Sequence, residues 1–281
     1  MRFILSTGSL FTYSVDRVFA LAAEAGFDGI EVLVDHRWDS RQSDYLRQLM
    51  ESHQLPVPAL HSPFSRNCSG WGETEQGAIA RTTELAAELG SQVVIHHLPT
   101  RFGHAFLQTA RGNRLLPNPF DSSPRKYADW IKKDYAEFQA ETEVLLCIEN
   151  LPAQKAFGRR VNPAHWNAHS RATLDDITRF PNITLDTTHL GTWGLDPLEA
   201  YERWGQRVKH VHLSNYNGDE HQRPENGILR LDTLLSRMAA DGYAYSISLE
   251  LHPGALEAGA SDSRIVELLR GSLYYCRRAV A

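Results

Sequence analysis

The feature of this 281-residue sequence that most limits its fold is a repeating alternation of short apolar strands with amphipathic helices. Strands are predicted at residues 3–6, 29–35, 58–61, 92–96, 144–149, 183–186, 208–213 and 245–250. Helices are predicted at residues 14–25, 43–53, 74–89, 126–141, 197–204, 231–240 and 264–279, with a helical patch ending near residue 180. Such an alternation predicts a single α/β domain over residues 1–281, a (β/α)8 TIM barrel, which commonly takes about 250 residues.

The alternative is a doubly wound open sheet. No G-x-G-x-x-G or phosphate-loop pattern follows the first strand, which favours the barrel without eliminating the alternative. Three irregular stretches, residues 99–125, 151–163 and 214–227, are predicted to be long loops that cover the mouth formed by the carboxyl ends of the strands.

Composition limits the cellular context and the class of partner. The net charge of −5 carries no basic tract, which counts against nucleic acid as a partner but leaves room for a local basic rim. Three widely spaced cysteines, Cys68, Cys147 and Cys276, suit reduced thiols in a cytosol. No signal-peptide core and no membrane-length apolar run is evident, so we expect a soluble, cytoplasmic protein. Homo-oligomer formation stays open.

The alternation of side chains along each strand predicts which residues point to the barrel axis. If the branched apolar residues face the helices, their neighbours face inward. On the fourth strand this parity selects His96 over His97. The inward set at or near the strand ends is then Glu31, His61, His96, Glu149, Asp186, His212 and Glu250, with His189, Asp219 and His221 available from the segments that follow.

Carboxylates and imidazoles gathered in this way predict a metal site. Like carboxylates repel one another and buried unpaired charge is costly, and a divalent cation resolves both problems. Mixed nitrogen and oxygen ligands suit zinc, manganese, cobalt or iron. Each residue taken alone has the plainer reading of a hydrogen-bonded core or rim residue. That plainer reading would require four independent coincidences of residue type, parity and strand end for one set of residues: Glu149, Asp186, His212 and Glu250.

With these residues in hand, the chain resembles the xylose-isomerase-like TIM-barrel superfamily over essentially its whole length. That superfamily includes ketose epimerases, inosose dehydratases and endonuclease IV. The matching motifs are Leu60-His61-Ser62-Pro63, Val94-Ile95-His96, Ile148-Glu149-Asn150, Asp186-Thr187-Thr188-His189, His212-Leu213-Ser214-Asn215, Asp219-Glu220-His221, Pro224-Glu225-Asn226-Gly227 and Leu249-Glu250-Leu251.

The resemblance to epimerases implies a divalent-metal-dependent isomerase or epimerase acting on a sugar, sugar phosphate or related polyol. Glu149, Asp186, His212 and Glu250 would hold one zinc or manganese ion, and Glu149 and Glu250 would also move the proton next to a carbonyl. His189 would hold a substrate hydroxyl. Further substrate contacts are expected from Glu31, Trp193 as a stacking wall and Arg223, each of which could instead be a plain rim or loop residue.

The resemblance to endonuclease IV implies a different chemistry, a multinuclear zinc phosphodiesterase acting on abasic DNA or a small phosphoester. Its three-zinc pattern is matched at His61, His96, Glu149, Asp186, His189, His212, Asp219, His221 and Glu250. Against it, His96 runs into His97-Leu98 where that family has Pro-Gly, and no basic, aromatic-interleaved loop is evident. We therefore place the sugar enzyme first, with one to three metal ions. A non-catalytic metal- or ligand-binding barrel is the third alternative.

Overall fold

Eight parallel strands close into a barrel in the structure, a computed structural model that describes residues 1–64, 68, 70–109, 112–118, 120–156 and 159–281. Each strand pairs with the next along the chain, and the last pairs with the first through Phe3 opposite Ile247. The predicted (β/α)8 fold is confirmed. The strands are β1 (Arg2–Ser6), β2 (Ile30–Leu33), β3 (Ala59–His61), β4 (Val93–His97), β5 (Leu145–Glu149), β6 (Ile183–Asp186), β7 (Val208–Leu213) and β8 (Ser246–Leu249).

Helices pack around the barrel, mostly where the sequence predicts them. Gly26 and Gly90 end two of them in the left-handed conformation, at φ +90° and +70°, which glycine adopts without steric cost. The helices are α1 (Val15–Ala25), α2 (Ser43–His53), α3 (Glu75–Leu89), α4 (Ser123–Lys133), α5 (Tyr135–Ala140), α6 (Thr187–Trp193), α7 (Pro197–Trp204), α8 (Leu231–Ala240) and α9 (Asp262–Ala279).

Three elements differ from the prediction. The helix expected at residues 126–141 is divided at Asp134 into α4 and α5. The patch before β6 is a 3₁₀ helix, Leu174–Arg179. Helix α6 follows β6 directly and was not predicted, because its seven residues are too few to show an apolar period.

Two of the predicted mouth loops contain regular structure. In the first, Gly103–Thr109 pairs with Gly112–Asn118 in an antiparallel hairpin, and in the second, Gln154–Ala156 pairs with Arg159–Val161. The sequence predicted these segments only as long loops, and the short paired strands within them were not predicted. Pairing gives the backbone N–H and C=O groups of a long connection partners that they would otherwise need from solvent. The third loop, residues 214–227, stays irregular apart from a bridge between Asn215 and Gln222.

The interior of the barrel is apolar at one level and polar at the next. A small apolar cluster on the axis consists of Ile4, Ala59, Val93, Ile95 and Cys147, with Leu145 packed against it. A much larger cluster fills the space between the sheet and the helices. On β5, Cys147 belongs to the inner cluster, and Glu149 follows two residues later on the same face. The apolar layer therefore supports the polar strand ends.

Membrane insertion can be tested on the described residues. None of the helices found there is both long and apolar enough to cross a bilayer.

Trp204 at the end of α7 is expected to be a major determinant of stability. Its side chain is fully buried, and its indole N–H donates to the Leu174 carbonyl oxygen at 2.8 Å. Trp204→Ala should lower the free energy of unfolding by about 3–5 kcal/mol, measured by urea denaturation. Trp38→Ala, at a tryptophan that is 64% exposed, is the matched control and should change it little. Equal effects of the two changes would contradict this packing.

Candidate metal centre and active site

Four strand ends bring together the residues that parity predicted as the central cluster. Glu149 ends β5, Asp186 ends β6, His212 lies on β7 and Glu250 follows β8. One donor atom from each of the four residues lies within 4.8 Å of the others, and all four are at least nine-tenths buried. We call these residues the central cluster. Their convergence follows from parallel pairing, because the carboxyl ends of barrel strands meet at one mouth.

The imidazole of His212 joins the cluster together. Its Nδ1 lies 3.0 Å from Glu149 Oε1 and 3.1 Å from Glu250 Oε2. Its Nε2 lies 3.1 Å from Glu31 Oε2. Burial by itself would lower the pKa of His212, but Glu31, Glu250 and Glu149 outweigh it and raise that pKa well above its usual value. The carboxylates around this buried imidazole therefore favour its protonated form.

Glu31 lies beneath the cluster, where its partners are histidines, and the predicted contact with substrate has no support from this geometry. Its carboxylate is fully buried, and its Oε2 meets both His212 and His210, the latter at 2.7 Å from Nε2. Burial would raise the pKa of Glu31, yet the two histidines hold it well below the usual value. An ionised Glu31 accepts a hydrogen bond from His212 and so fixes the orientation of the ring, as carboxylates do behind metal-bound histidines.

Asp186 carries an unusual pair of oxygens. Its Oδ1 accepts the backbone N–H of His189 at 2.7 Å and caps the start of α6, whereas its Oδ2 is buried without a hydrogen-bond partner in the described structure. Burial, followed by the charges of Glu149 and Glu250, raises the pKa of Asp186 well above its usual value. This oxygen lies 3.6 Å from His189 Nδ1 and 3.8 Å from His212 Nδ1, and a buried oxygen without a hydrogen-bond partner among carboxylates needs a proton or a cation. The donor set of three carboxylates and one imidazole fits a divalent ion such as zinc or manganese.

A second group shares Glu149. The other oxygen of this residue, Oε2, lies 3.1 Å from His61 Nε2 and 3.3 Å from His97 Nε2. The ligand atoms of these three residues also lie within 4.8 Å of one another. Burial would raise the pKa of Glu149, but its histidine partners, His212 first, hold it well below the usual value. Glu149 is thus shared by two groups of residues, each of which could hold an ion.

His97 belongs to this group in place of His96, so the parity prediction was wrong for β4. Val93 and Ile95 lie in the inner cluster and Val94 in the outer one, which turns His97 inward. Since β4 is apolar on both faces, the rule that branched residues face the helices cannot distinguish them. The fully buried Leu98, which continues the outward parity of Val94, is the signal that sequence reasoning overlooked.

His96 is held away from the mouth by two tyrosines. Its Nδ1 lies 2.6 Å from the Tyr127 hydroxyl and its Nε2 3.0 Å from the Tyr135 hydroxyl. Both ring nitrogens therefore lie within hydrogen-bonding distance of a tyrosine hydroxyl, and neither faces the central cluster. Burial lowers the pKa of His96 to about 3. Its predicted role as a metal ligand is wrong.

A third group lies on the far side of Asp186. Ligand atoms of Asp186, His189 and His221 are within 4.8 Å of one another. His189 Nδ1 lies 2.8 Å from the Asn150 carbonyl oxygen, which can only accept, so Nδ1 carries the hydrogen and Nε2 is an acceptor. Burial lowers the pKa of His189 well below its usual value, keeping it neutral. Asp219 is exposed in the loop and outside this group, so the described structure does not support its prediction as a ligand.

Trp193 and Arg223 make structural contacts. The Trp193 ring stacks on His169 at 4.8 Å, and its N–H donates to the Leu151 carbonyl oxygen at 3.1 Å. Arg223 pairs with Glu225 at 2.8 Å. Both arrangements match the plainer reading of these residues as loop supports, and their predicted contacts with substrate have no further support here.

Two cavities open at the mouth. One, of about 560 Å³, includes His221 and Glu250 in its lining. The other, of about 650 Å³, includes His61 and His97. Phe64 lines both cavities, and its ring packs on His61 and His97 at centroid distances of 4.5 and 4.9 Å. Ligands can therefore approach the clustered residues from two sides.

Comparison of the sequence with known protein families and relatives identifies the family of this chain. The family model described as "Xylose isomerase-like TIM barrel" matches residues 19–268, and the chain belongs to that family. An uncharacterized protein of Mycobacterium leprae (strain TN) is 25% identical, with 98% of this chain and 97% of the relative covered.

Solved structures show the same fold. A D-tagatose 3-epimerase-like protein is 20% identical, with a TM-score of 0.64 and complete coverage of both chains. The IOLI protein with a bound zinc atom is 14% identical, with a TM-score of 0.65 and coverage of 100% of this chain and 98% of the other.

The buried state of His96 gives a pH-dependence that can be measured. The unfolded chain takes up this proton near pH 6.5 and the folded chain only near pH 3, so stability is lost as the pH falls between these values. From pH 6.5 to pH 5 the loss due to this residue should be about 2 kcal/mol. Urea denaturation of His96→Gln should show a drop smaller by that amount. His36→Gln, at an exposed histidine, is the control, and a wild-type slope in the His96 variant would contradict the assignment.

Proposed function

We propose that this protein is a divalent-metal-dependent isomerase or epimerase acting on a sugar-like ketone or polyol by proton transfer next to a carbonyl. The observation that carries the proposal is the placement of Glu149 and Glu250 at 3.0 and 3.1 Å from one nitrogen of His212, with the unpartnered Asp186 Oδ2 beside them. Family membership and the epimerase-like and zinc-bound structural neighbours support it.

Glu149, Asp186, His212 and Glu250 would hold the ion. When bound, a divalent cation would draw electron density from a carbonyl oxygen and so acidify the neighbouring C–H. Three carboxylates and one imidazole suit zinc and manganese equally, so this donor set is compatible with both ions.

Glu149 and Glu250 would move the proton. Strands β6 and β7 separate them in the order of the barrel, so the two carboxylates flank the cluster from different sides. The low pKa of Glu149, caused by its histidine partners against the effect of burial, keeps it ionised at neutral pH, which a general base requires. Removal of a proton by one carboxylate and its return by the other inverts a stereocentre, whereas return to the adjacent carbon relocates the carbonyl.

His189 would orient the substrate. Because Nδ1 is used by the Asn150 carbonyl oxygen, the neutral Nε2 can accept a hydrogen bond from a substrate hydroxyl. His189 is 6% exposed, so such a contact would be shielded from water and strengthened accordingly.

A second candidate is a multinuclear phosphodiesterase, favoured by one observation. The group of His61, His97 and Glu149 shares its carboxylate with the central cluster, as a bridged pair of ions requires. Of the nine ligands of the three-zinc pattern, Asp219 is exposed and outside these groups, whereas His97 takes the place predicted for His96. The sugar enzyme therefore remains first.

Replacing either proton-transfer residue should abolish turnover. Glu149→Gln and Glu250→Gln keep the side-chain shape but remove the base, so solvent-deuterium uptake into a panel of ketoses, followed by NMR, should fall by roughly 10²–10⁴-fold. Glu51→Gln, at an exposed position on α2, is the control. Wild-type exchange rates in Glu149→Gln would refute the site.

Metal content separates the two candidates. Elemental analysis of gently purified protein should give about one zinc or manganese ion per chain if the central cluster alone is loaded, and two or three if the shared groups are loaded as well. Asp186→Asn, which removes the charge facing the cluster but keeps a side chain able to cap α6, should reduce the content below half. Metal-free protein with full exchange activity would overturn the proposal.

A further inference from the structure

The cavity beside Glu250 has walls of a different character from the metal cluster that it adjoins. It encloses about 560 Å³ between the ends of β8, β1 and β2. Its apolar walls come from Phe11, Leu33, Phe64, Leu251 and Pro253. We call this space the apolar cavity. It joins the central cluster through Glu250, so whatever fills it can belong to the same molecule that reacts there.

Three of the polar side chains that line the apolar cavity, those of Asp35, Cys68 and His252, have protein partners. The Asp35 carboxylate accepts from Arg37 Nε at 2.8 and 3.0 Å. The Cys68 thiol donates to the Asp35 carbonyl oxygen at 2.9 Å, and His252 Nδ1 accepts the Gly254 N–H at 3.0 Å. Part of their hydrogen-bonding capacity is thus used within the protein. A hydroxyl-rich group placed there would lose hydrogen bonds to water and replace few of them, which costs free energy of desolvation.

Gly8 keeps the floor of the cavity open next to the reacting carboxylate. A Cβ at this position would lie 3.3 Å from Leu33 Cδ2 and 3.5 Å from Glu250 Oε1. The missing side chain therefore leaves a continuous passage from the cavity to Glu250. A substituent in the cavity can therefore be part of the molecule that reaches Glu250.

Two aromatic side chains that line the cavity are about half exposed to solvent. Phe11 is 46% exposed and Phe64 is 51% exposed. These large apolar side chains line one concave space and are both exposed to solvent. An apolar ligand that displaces water from them is expected to bind favourably. The volume is ample, since roughly 150 Å³ suffices to hold a benzene molecule.

We propose that the substrate carries an apolar substituent, a ring of about phenyl size, attached to the polyol or ketone held at the central cluster, and that the apolar cavity binds this substituent. This inference rests on the proposed function for the reacting half of the molecule. It identifies the substrate class as a sugar-like conjugate with an apolar group, distinct from a free hexose.

The test compares D-fructose with 6-O-benzyl-D-fructose as ligands of the full-length, metal-loaded protein. Burial of the ring should make the benzyl ether bind roughly tenfold to a hundredfold more tightly in calorimetric titrations. Phe11→Ser should reduce that preference at least threefold. Tyr274→Ser, at an exposed aromatic residue on α9, is the matched control and should keep it. Equal affinities for the two sugars, or an unchanged preference in Phe11→Ser, would overturn the inference.

A separate probe distinguishes this inference from the proposed function. Benzyl alcohol carries the ring without the sugar, and saturation-transfer NMR should show it on the wild type and more weakly on Phe11→Ser. Absence of deuterium exchange in every ketose and conjugate would refute the proposed function, while benzyl alcohol binding would still support the cavity as an apolar site. Benzyl alcohol that binds both proteins alike would refute the cavity, while exchange into free ketoses would still support the function.

Discussion

The polar interior of this barrel depends on one imidazole that meets carboxylates through both of its nitrogens. His212 contacts Glu149 and Glu250 through Nδ1 and Glu31 through Nε2. Carboxylates brought this close in a buried space repel one another, and burial alone would neutralise them. Against the effect of burial, the neighbouring carboxylates raise the pKa of His212, and burial together with the charges of Glu149 and Glu250 raises the pKa of Asp186. Both shifts favour added positive charge at the cluster, which protons or a divalent cation would supply.

Much of this site could be predicted from sequence because barrel geometry turns a local pattern into a spatial one. The alternation of strands and helices predicts the barrel fold. The carboxyl ends of the strands predict where its mouth lies, and the alternation of side chains along a strand predicts which residues face the barrel axis. These rules place Glu149, Asp186, His212 and Glu250 together without any knowledge of long-range contacts. They hold for β5 to β8, where inward residues are small or polar and outward ones are branched and apolar.

The same rules fail where neighbouring residues do not differ in polarity in a way that shows which of them face the site. On β4 both faces are apolar, so His96 and His97 could not be distinguished, and the tyrosines that bind His96 come from α4 and α5, more than 30 positions away along the chain. In the loop after β7, Asp219 and His221 are two residues apart yet only His221 reaches the site, at a positive φ of 55°. Loop conformation depends on tertiary contacts, such as the bond from the His252 N–H to the His221 carbonyl oxygen, that no local period reports.

The cap at the start of α6 has a consequence for binding energetics. The main-chain N–H of His189 fixes Asp186 through one oxygen, and the helix that supplies this N–H forms as the barrel folds. The rotational freedom of that carboxylate is therefore lost during folding, before a ligand arrives. An ion that binds the remaining oxygen meets a pre-organised donor and has little side-chain entropy to remove, which strengthens binding without any additional contact. Aspartate at this position thus ends a strand, caps a helix and holds its second oxygen in a fixed position.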